Sequence, residues 1–318
     1  MTVKVELTPP DISVYEAGNT GIPYYSTFDS GSPGPHILIN AITHGNELCG
    51  AITLDFLLRH DVRPTRGKLS LGFANYMAYQ NFDLAAPTAS RYVDEDFNRL
   101  WSSDVLDGPR NSAELRRARE IRPFIDTVDF LLDIHSMQQS CPALTLSGPL
   151  AKGRALAAGT GFPAHVVSDT GHAAGKRMRD YAAFGDPASP KNALLVECGQ
   201  HWEFDSAVVS LETTLRFLRH LGAIDPDFAA AHLRATEPAP QQFIEVTEAV
   251  VVRSKSFSFV QPYKGLEIIP RAGDVIGHDG DTPLLAPFDN CVLIMPSRRL
   301  NPGQTAVRLG RFIDSPKP

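Results

Sequence analysis

Six short runs dominated by apolar residues, Ile37 to Ile42, Leu69 to Phe73, Phe130 to Ile134, Ala143 to Leu146, His165 to Val167 and Ala193 to Val196, constrain this chain more than any other feature. A strand with one wet face alternates apolar and polar residues. Continuous runs instead mark strands covered on both faces, as in the parallel sheets of α/β proteins. Helical patterns lie between the runs: Leu48, Ile52 and Phe56 begin one helix, and Leu211, Leu215 and Leu218 mark another that Gly222 ends. The expected fold is α/β, with a mixed, mostly parallel sheet flanked by helices. The pattern changes around Thr236-Glu237-Pro238-Ala239-Pro240, and from Gln242 onward short β-like pieces alternate with turn residues. A larger domain over residues 1–238 and a small β-rich C-terminal domain over 239–318 follow.

In an open α/β sheet, ligands gather at the carboxyl ends of the strands. His44, His135 and Glu197 all fall at or just beyond such ends. His44 and Glu47 stand three residues apart in Thr43-His44-Gly45-Asn46-Glu47, where the first run gives way to a helical pattern, so both side chains can converge on one ion. His135 closes a second run in Asp133-Ile134-His135, a place where a polar side chain needs a use. Two imidazoles, one carboxylate and a water make the usual catalytic zinc arrangement, which predicts one Zn2+ per chain held by His44, Glu47 and His135. Asp133 shares a strand face with His135, although strand residues two apart can point in parallel without touching. Glu197 ends the run Ala193-Leu194-Leu195-Val196, where a carboxylate is costly to bury without a partner, and it is the candidate proton shuttle.

Composition excludes several other readings. A net charge of −6 with no basic block argues against a nucleic-acid partner. No run approaches the length of a membrane helix and the first residues lack the apolar core of a signal peptide, so a cytoplasmic location without a membrane partner is expected. Cys49, Cys141, Cys198 and Cys291 show no paired spacing, which suits reduced thiols. Cys198 follows Glu197, but strand alternation turns it to the opposite face, as a small buried hydrophobe.

The set Thr43-His44-Gly45-Asn46-Glu47, Asn75, Arg91, Asp96-Phe97-Asn98-Arg99, Asp133-Ile134-His135 and Glu197-Cys198-Gly199 resembles, in order and approximate spacing, the succinylglutamate desuccinylase/aspartoacylase family, a branch of the zinc carboxypeptidase-like hydrolases. The resemblance implies that Glu197 is the catalytic carboxylate, that Arg91 polarises the scissile carbonyl and steadies its oxyanion, and that Asn98 with Arg99 binds a substrate carboxylate. A further family arginine, which grips a distal carboxylate, falls on Arg177 or Arg179. The segment Gly185-Asp186-Pro187-Ala188-Ser189-Pro190 stretches its spacing to Glu197, leaving open whether the distal group is acidic. The family's Asn-Pro-Arg-Ala-type segment appears as Asn75-Tyr76-Met77-Ala78. Tyr263 is the nearest counterpart of a substrate-contacting tyrosine from the C-terminal domain, and His172 lies in a loop that can reach substrate.

The sequence thus points to a zinc-dependent hydrolase that cleaves the amide of an N-acylated amino acid or a related small acyl compound. The alternatives are a metallocarboxypeptidase acting on a short peptide and a non-catalytic zinc-binding ligand sensor. The acyl group, the amino acid and any homo-oligomer are left open.

Overall fold

The computed structural model describes residues 4–172 and 174–316. In chain order its strands are β1 (Tyr25–Asp29), β2 (His36–Ala41), β3 (Lys68–Phe73), β4 (Phe130–Met137), β5 (Leu144–Leu146), β6 (His165–Ser168), β7 (Asn192–Gln200), β8 (Gln242–Val251), β9 (Phe257–Phe259), β10 (Ile268–Ile269), β11 (Val275–Asp279), β12 (Thr282–Leu285), β13 (Cys291–Ile294) and β14 (Thr305–Ile313). The helices are α1 (Leu48–Arg59), α2 (Tyr76–Gln80), α3 (Ser103–Leu106), α4 (Ala113–Ile125), α5 (Ala151–Thr160), α6 (Phe204–His220) and α7 (Pro226–His232). Each of the six apolar runs is a strand. Gly222, at φ 59°, follows α6 as its expected stop.

Eleven strands form one sheet in the order β1-β3-β2-β4-β7-β5-β6-β8-β14-β13-β10. The neighbours β3, β2, β4 and β7 run parallel, as do β5, β6 and β8. The pairs β1/β3 and β7/β5 and the C-terminal run from β8 to β10 are antiparallel. The fold is therefore the mixed, mostly parallel α/β sheet the sequence predicts, with β9, β11 and β12 in a separate small antiparallel sheet. The expected boundary near residue 238 does precede β8, yet the sheet continues across it. β6 offers an unpaired edge, β8 satisfies its backbone groups, and β14 adds to β8 in turn. Turn-rich sequence announces short strands but not the edge they will join.

The two faces of the central strands differ. Ile37, Ile39, Leu132, Ile134, Leu194, Val196 and Cys198 pack in one core with Leu54 and Leu57 of α1 and Leu215 and Leu218 of α6. Cys198 thus takes the apolar face, away from Glu197, as alternation requires. On the opposite face Leu38, Leu131 and Ala193 pack with Ala118, Ile121 and Ile125 of α4. Farther along the same strands this face turns polar through Asn40, Asp133, His135 and Glu197, all buried. The site grows from this change of character. Among the described residues, no helix is long and apolar enough to cross a membrane.

Close approach of α1 to the sheet fixes where the site's first turn begins. A Cβ on Gly50 would lie 2.9 Å from Cβ of Ala41 and 3.2 Å from Cγ2 of Ile134. Gly50→Val is expected to destabilise the protein by about 1–3 kcal/mol through overpacking, measured by urea unfolding. An unchanged midpoint would mean that α1 has room to shift.

Candidate metal centre and active-site cleft

His44 and Glu47 sit on the turn between β2 and α1. Ile42, at φ 49°, redirects the chain as it leaves the strand; few β-branched residues adopt that conformation. Gly45 is required by crowding. A Cβ there would fall 2.3 Å from the Ala78 carbonyl carbon and 2.5 Å from the Ser90 oxygen, while its N–H donates to the Arg91 carbonyl at 3.1 Å. The same contact brings Arg91 over the turn. Glu47 occupies the N-cap of α1 without capping it. Its carboxylate stays near the positive helix end but is turned toward the two imidazoles.

Those imidazoles complete a continuous line of alternating carboxylates and rings. Asp133 Oδ2 lies 2.9 Å from His135 Nε2, and His135 Nδ1 lies 2.9 Å from Glu47 Oε2. Glu47 Oε1 lies 2.8 Å from His44 Nδ1, and His44 Nε2 lies 2.9 Å from Asp96 Oδ1. Asp133 and His135 therefore do touch, and Asp133 also accepts from Asn40 Nδ2 at 2.8 Å and Thr43 Oγ1 at 2.9 Å. Burial alone would push the Glu47 carboxyl up, but His44 and His135 beside it hold it well below the carboxylate range. Burial likewise opposes charge on His135, and Asp133 with Glu47 outweighs it, raising its pKa well above the histidine range.

Donor atoms of His44, Glu47 and His135 lie within 4.8 Å of one another, all buried. Both Nδ1 atoms face Glu47, and each Nε2 is held by another carboxylate, which is how ligating histidines are oriented. The charges agree. Asp133, Glu47 and Asp96 are compensated by Arg91, whose Nη2 is 3.2 Å from Asp96 and Nη1 3.6 Å from Glu47, and by either imidazole protons or a divalent cation that replaces them. The donor set fits one such ion.

Glu197 is next to His135 in register on the adjacent strand. Both lie within their strands rather than at the ends, because β4 and β7 continue past the apolar runs to Met137 and Gln200. A register shift between His135 and Met137 marks the spot, as bulges beside functional sites do. Glu197 is buried, and among the described residues its Oε2 has no hydrogen-bond partner. Burial first, then the charge of Glu47, pushes its pKa up to about 8 against the pull of His135 and Arg91. Among the described residues it forms no ion pair with an arginine.

These groups open onto a cleft of about 750 Å³ that Arg91, Asn98, Arg99, His172 and Arg177 also line. Asn98 Nδ2 lies 3.4 Å from His135 Nε2 while its Oδ1 accepts from the Met178 N–H at 2.9 Å. Arg99 Nη1 donates to the Asn98 carbonyl at 2.7 Å. Arg177 makes two bonds to Asp169, of 3.0 and 2.7 Å, and a third to Asp180. Arg179, by contrast, is not brought to the cleft. Its Nη2 donates to the Ser147 and Ala193 carbonyls, both at 2.9 Å, so it braces the end of β5 against the start of β7. Asn75 caps α2 and donates to Glu114. Tyr263 is in the small C-terminal core.

Three contributors escape the motifs. The Glu114 carboxylate accepts the N–H groups of Val93, Asp94 and Glu95 at 2.6, 3.0 and 3.2 Å and so pins the segment carrying Arg91 and Asp96; its sequence setting on α4 is that of an ordinary helix surface. His201 Nδ1 lies 2.8 Å from Ser136 Oγ, beside His135. Arg308 lines the cleft from β14, and its one sequence signal is a charge amid Ala306-Val307 and Leu309.

Residues 33–221, more than half of the chain, match the family model for the succinylglutamate desuccinylase/aspartoacylase catalytic domain. The chain belongs to the succinylglutamate desuccinylase/aspartoacylase family. It is 26% identical over 127 residues to an N-acyl-aromatic-L-amino acid amidohydrolase (carboxylate-forming) of Rattus norvegicus, covering 37% of this chain and 38% of that protein. It is 38% identical over 87 residues to a probable aspartoacylase of Parasynechococcus marenigrum, covering 27% and 26%. Both matched stretches are well under two thirds of those relatives. The crystal structure of a succinylglutamate desuccinylase from Chromobacterium violaceum superposes with a TM-score of 0.64 at 17% identity, over 93% of this chain and 90% of that one; this likeness is one of fold.

Purified protein is expected to carry about one divalent ion per chain. His135→Ala should lose it while unfolding cooperatively, because the sheet rather than the ion supplies the core. Elemental analysis with a thermal melt decides, and full metal occupancy in the variant would remove His135 from the ligand set.

Proposed function

We propose that the protein is a zinc-dependent deacylase, hydrolysing the amide bond of an N-acylated amino acid or a related small acyl compound. The observation that carries the reading is Glu197, a buried carboxyl with a pKa near 8 and an unpartnered oxygen, beside a ready set of metal ligands. Membership of the family supports the same class of reaction. His44, Glu47 and His135 would hold the ion. Bound there, zinc supplies Lewis acidity and lowers the pKa of a nearby water to about 7.

The remaining work falls to the chain. Glu197 takes the proton of the attacking water and returns it to the departing nitrogen, and a pKa close to neutrality puts both protonation states within reach. Arg91 reaches over Glu47 and Asp96, where its guanidinium meets the carbonyl oxygen as that atom becomes anionic. Such a preorganised donor commonly contributes about 3–4 kcal/mol. Arg99, presented beside Asn98 and His135, anchors a substrate carboxylate with two parallel hydrogen bonds. Asn98 sets the wall between that anchor and the metal ligands.

Glu197→Gln keeps shape and metal ligands, so it should retain zinc and substrate binding while kcat falls by at least about a hundredfold. Steady-state hydrolysis of acetyl, succinyl and formyl amino acids, with metal content on the same preparation, provides the test. Activity within about threefold of the parent would defeat the mechanism.

A further inference from the structure

The pairing of β4 with β7 breaks just after His135. Their register sets His135 beside Glu197 and Met137 beside Gln200, so two residues of β7, Cys198 and Gly199, stand against Ser136 alone on β4. Gly199 absorbs the extra residue at φ 106°, a positive φ that glycine adopts without strain. Beyond this bulge the His201 N–H donates to the Met137 carbonyl at 2.9 Å, and the His201 ring reaches Ser136, with Nδ1 2.8 Å from Oγ. We propose that Ser136 and His201 are positioning residues of the metal centre, His201 holding Ser136 by its hydroxyl and Ser136 holding Glu47 by its N–H, so that the pair sets how tightly zinc is bound. The role presupposes the zinc-dependent reading above.

The Ser136 N–H lies 3.3 Å from Glu47 Oε2 and is the one backbone N–H that this carboxylate accepts among the described residues. The other partners of Glu47 are the two imidazoles and, at 3.6 Å, Arg91. Where a divalent ion takes the place of the imidazole protons, neither ring donates to Glu47 any longer. Ser136 and Arg91 are then left to orient the carboxylate, and Arg91 is shared with Asp96. Groups that orient a ligand in this way govern metal affinity. Ser136 has no place in the registers of β4 with β2 or β7, so the strand ladder does not fix it. Its hydroxyl bond to His201 supplies the anchor.

The chemistry of the pair suits that task. Both residues are buried. Burial, opposed by Glu47 and aided by Arg91, pushes the His201 pKa down to about 3. A neutral imidazole grips the hydroxyl without adding a positive charge next to a site built for a cation. The same low pKa makes His201 a poor base at neutral pH, which separates Ser136 from an activated nucleophile. The next residue works in parallel: Trp202 Nε1 donates to the Asn46 carbonyl at 3.1 Å, within the turn that carries His44 and Glu47. The end of β7 thus fastens both segments that supply the ligands.

Competition with a chelating dye measures the zinc dissociation constant of the full chain. Ser136→Ala and His201→Leu should each raise it by about 10–100-fold. The double variant should bind zinc no more weakly than the poorer single one, because both changes cut the same chain of contacts. His201→Asn, whose amide reaches about where Nδ1 stood, should recover most of the loss. A pair that merely braced the fold would lower the melting temperature of the metal-free protein and leave the zinc constant where it was. Melting curves of the metal-free variants are therefore run alongside, and Ser136→Ala, which removes one oxygen, keeps the test open should His201→Leu fold poorly. Unchanged zinc affinity in Ser136→Ala, or losses that add in the double variant, would overturn the proposal and leave the metal centre standing. A parent chain without zinc affinity would overturn both. Zinc affinity that depends on the pair, in a protein that hydrolyses no acyl amino acid, would overturn the deacylase reading alone.

Discussion

Three carboxylates and two imidazoles in one unbroken line, from buried Asp133 through His135, Glu47 and His44 to half-buried Asp96, set the terms for the rest of the molecule. An isolated buried charge costs several kcal/mol, so the line persists only if every member is held by the next. Much of the local architecture follows from holding it. Asn40 and Thr43 fix Asp133, with Asn40 in turn accepting from the Tyr25 hydroxyl. Gly45 lets the turn lie against α2 and the Arg91 carbonyl, and Glu114 fastens the segment that delivers Asp96. A divalent cation between the Nδ1 atoms and Glu47 would exchange imidazole protons for metal bonds with this framework already in place.

Glu197 belongs to the same buried patch yet is excluded from the line. It stands one strand over from His135, is raised rather than lowered in pKa, and keeps an oxygen without a partner among the described residues. Neighbouring carboxyls driven in opposite directions by their surroundings suit the proposed division of labour, in which an ionised Glu47 would bind the metal and Glu197 would carry a proton. The arginines divide as well: Arg177 is tied to Asp169 and Arg179 to backbone carbonyls away from the cleft, whereas Arg99 and Arg308 line the cleft with no carboxylate in salt-bridge distance among the described residues.

The parts of this arrangement legible in the sequence are those governed by local rules. Continuous apolar runs announced the buried parallel strands, period two set Asp133 beside His135 and Cys198 opposite Glu197, and the change from strand to helix placed His44 and Glu47 together. Pairing across the chain was not legible. Nothing near Glu114 shows that its carboxylate will accept three N–H groups some twenty residues upstream. Arg179 and Arg177 look alike in Lys176-Arg177-Met178-Arg179-Asp180, and only the position of the Ser147 and Ala193 carbonyls separates a brace from a cleft residue. A change of composition near residue 238 was readable. That β8 then extends the central sheet depends on the open edge of β6, a property of the assembled fold.

X-ray absorption at the zinc edge on the purified protein tests the central claim, that His44, Glu47 and His135 hold the proposed metal, most directly. The account predicts two nitrogen ligands at about 2.0–2.1 Å with carboxylate oxygen at about 2.0–2.2 Å and no sulfur. A sulfur shell near 2.3 Å, a shell lacking imidazole, or protein free of zinc would contradict it.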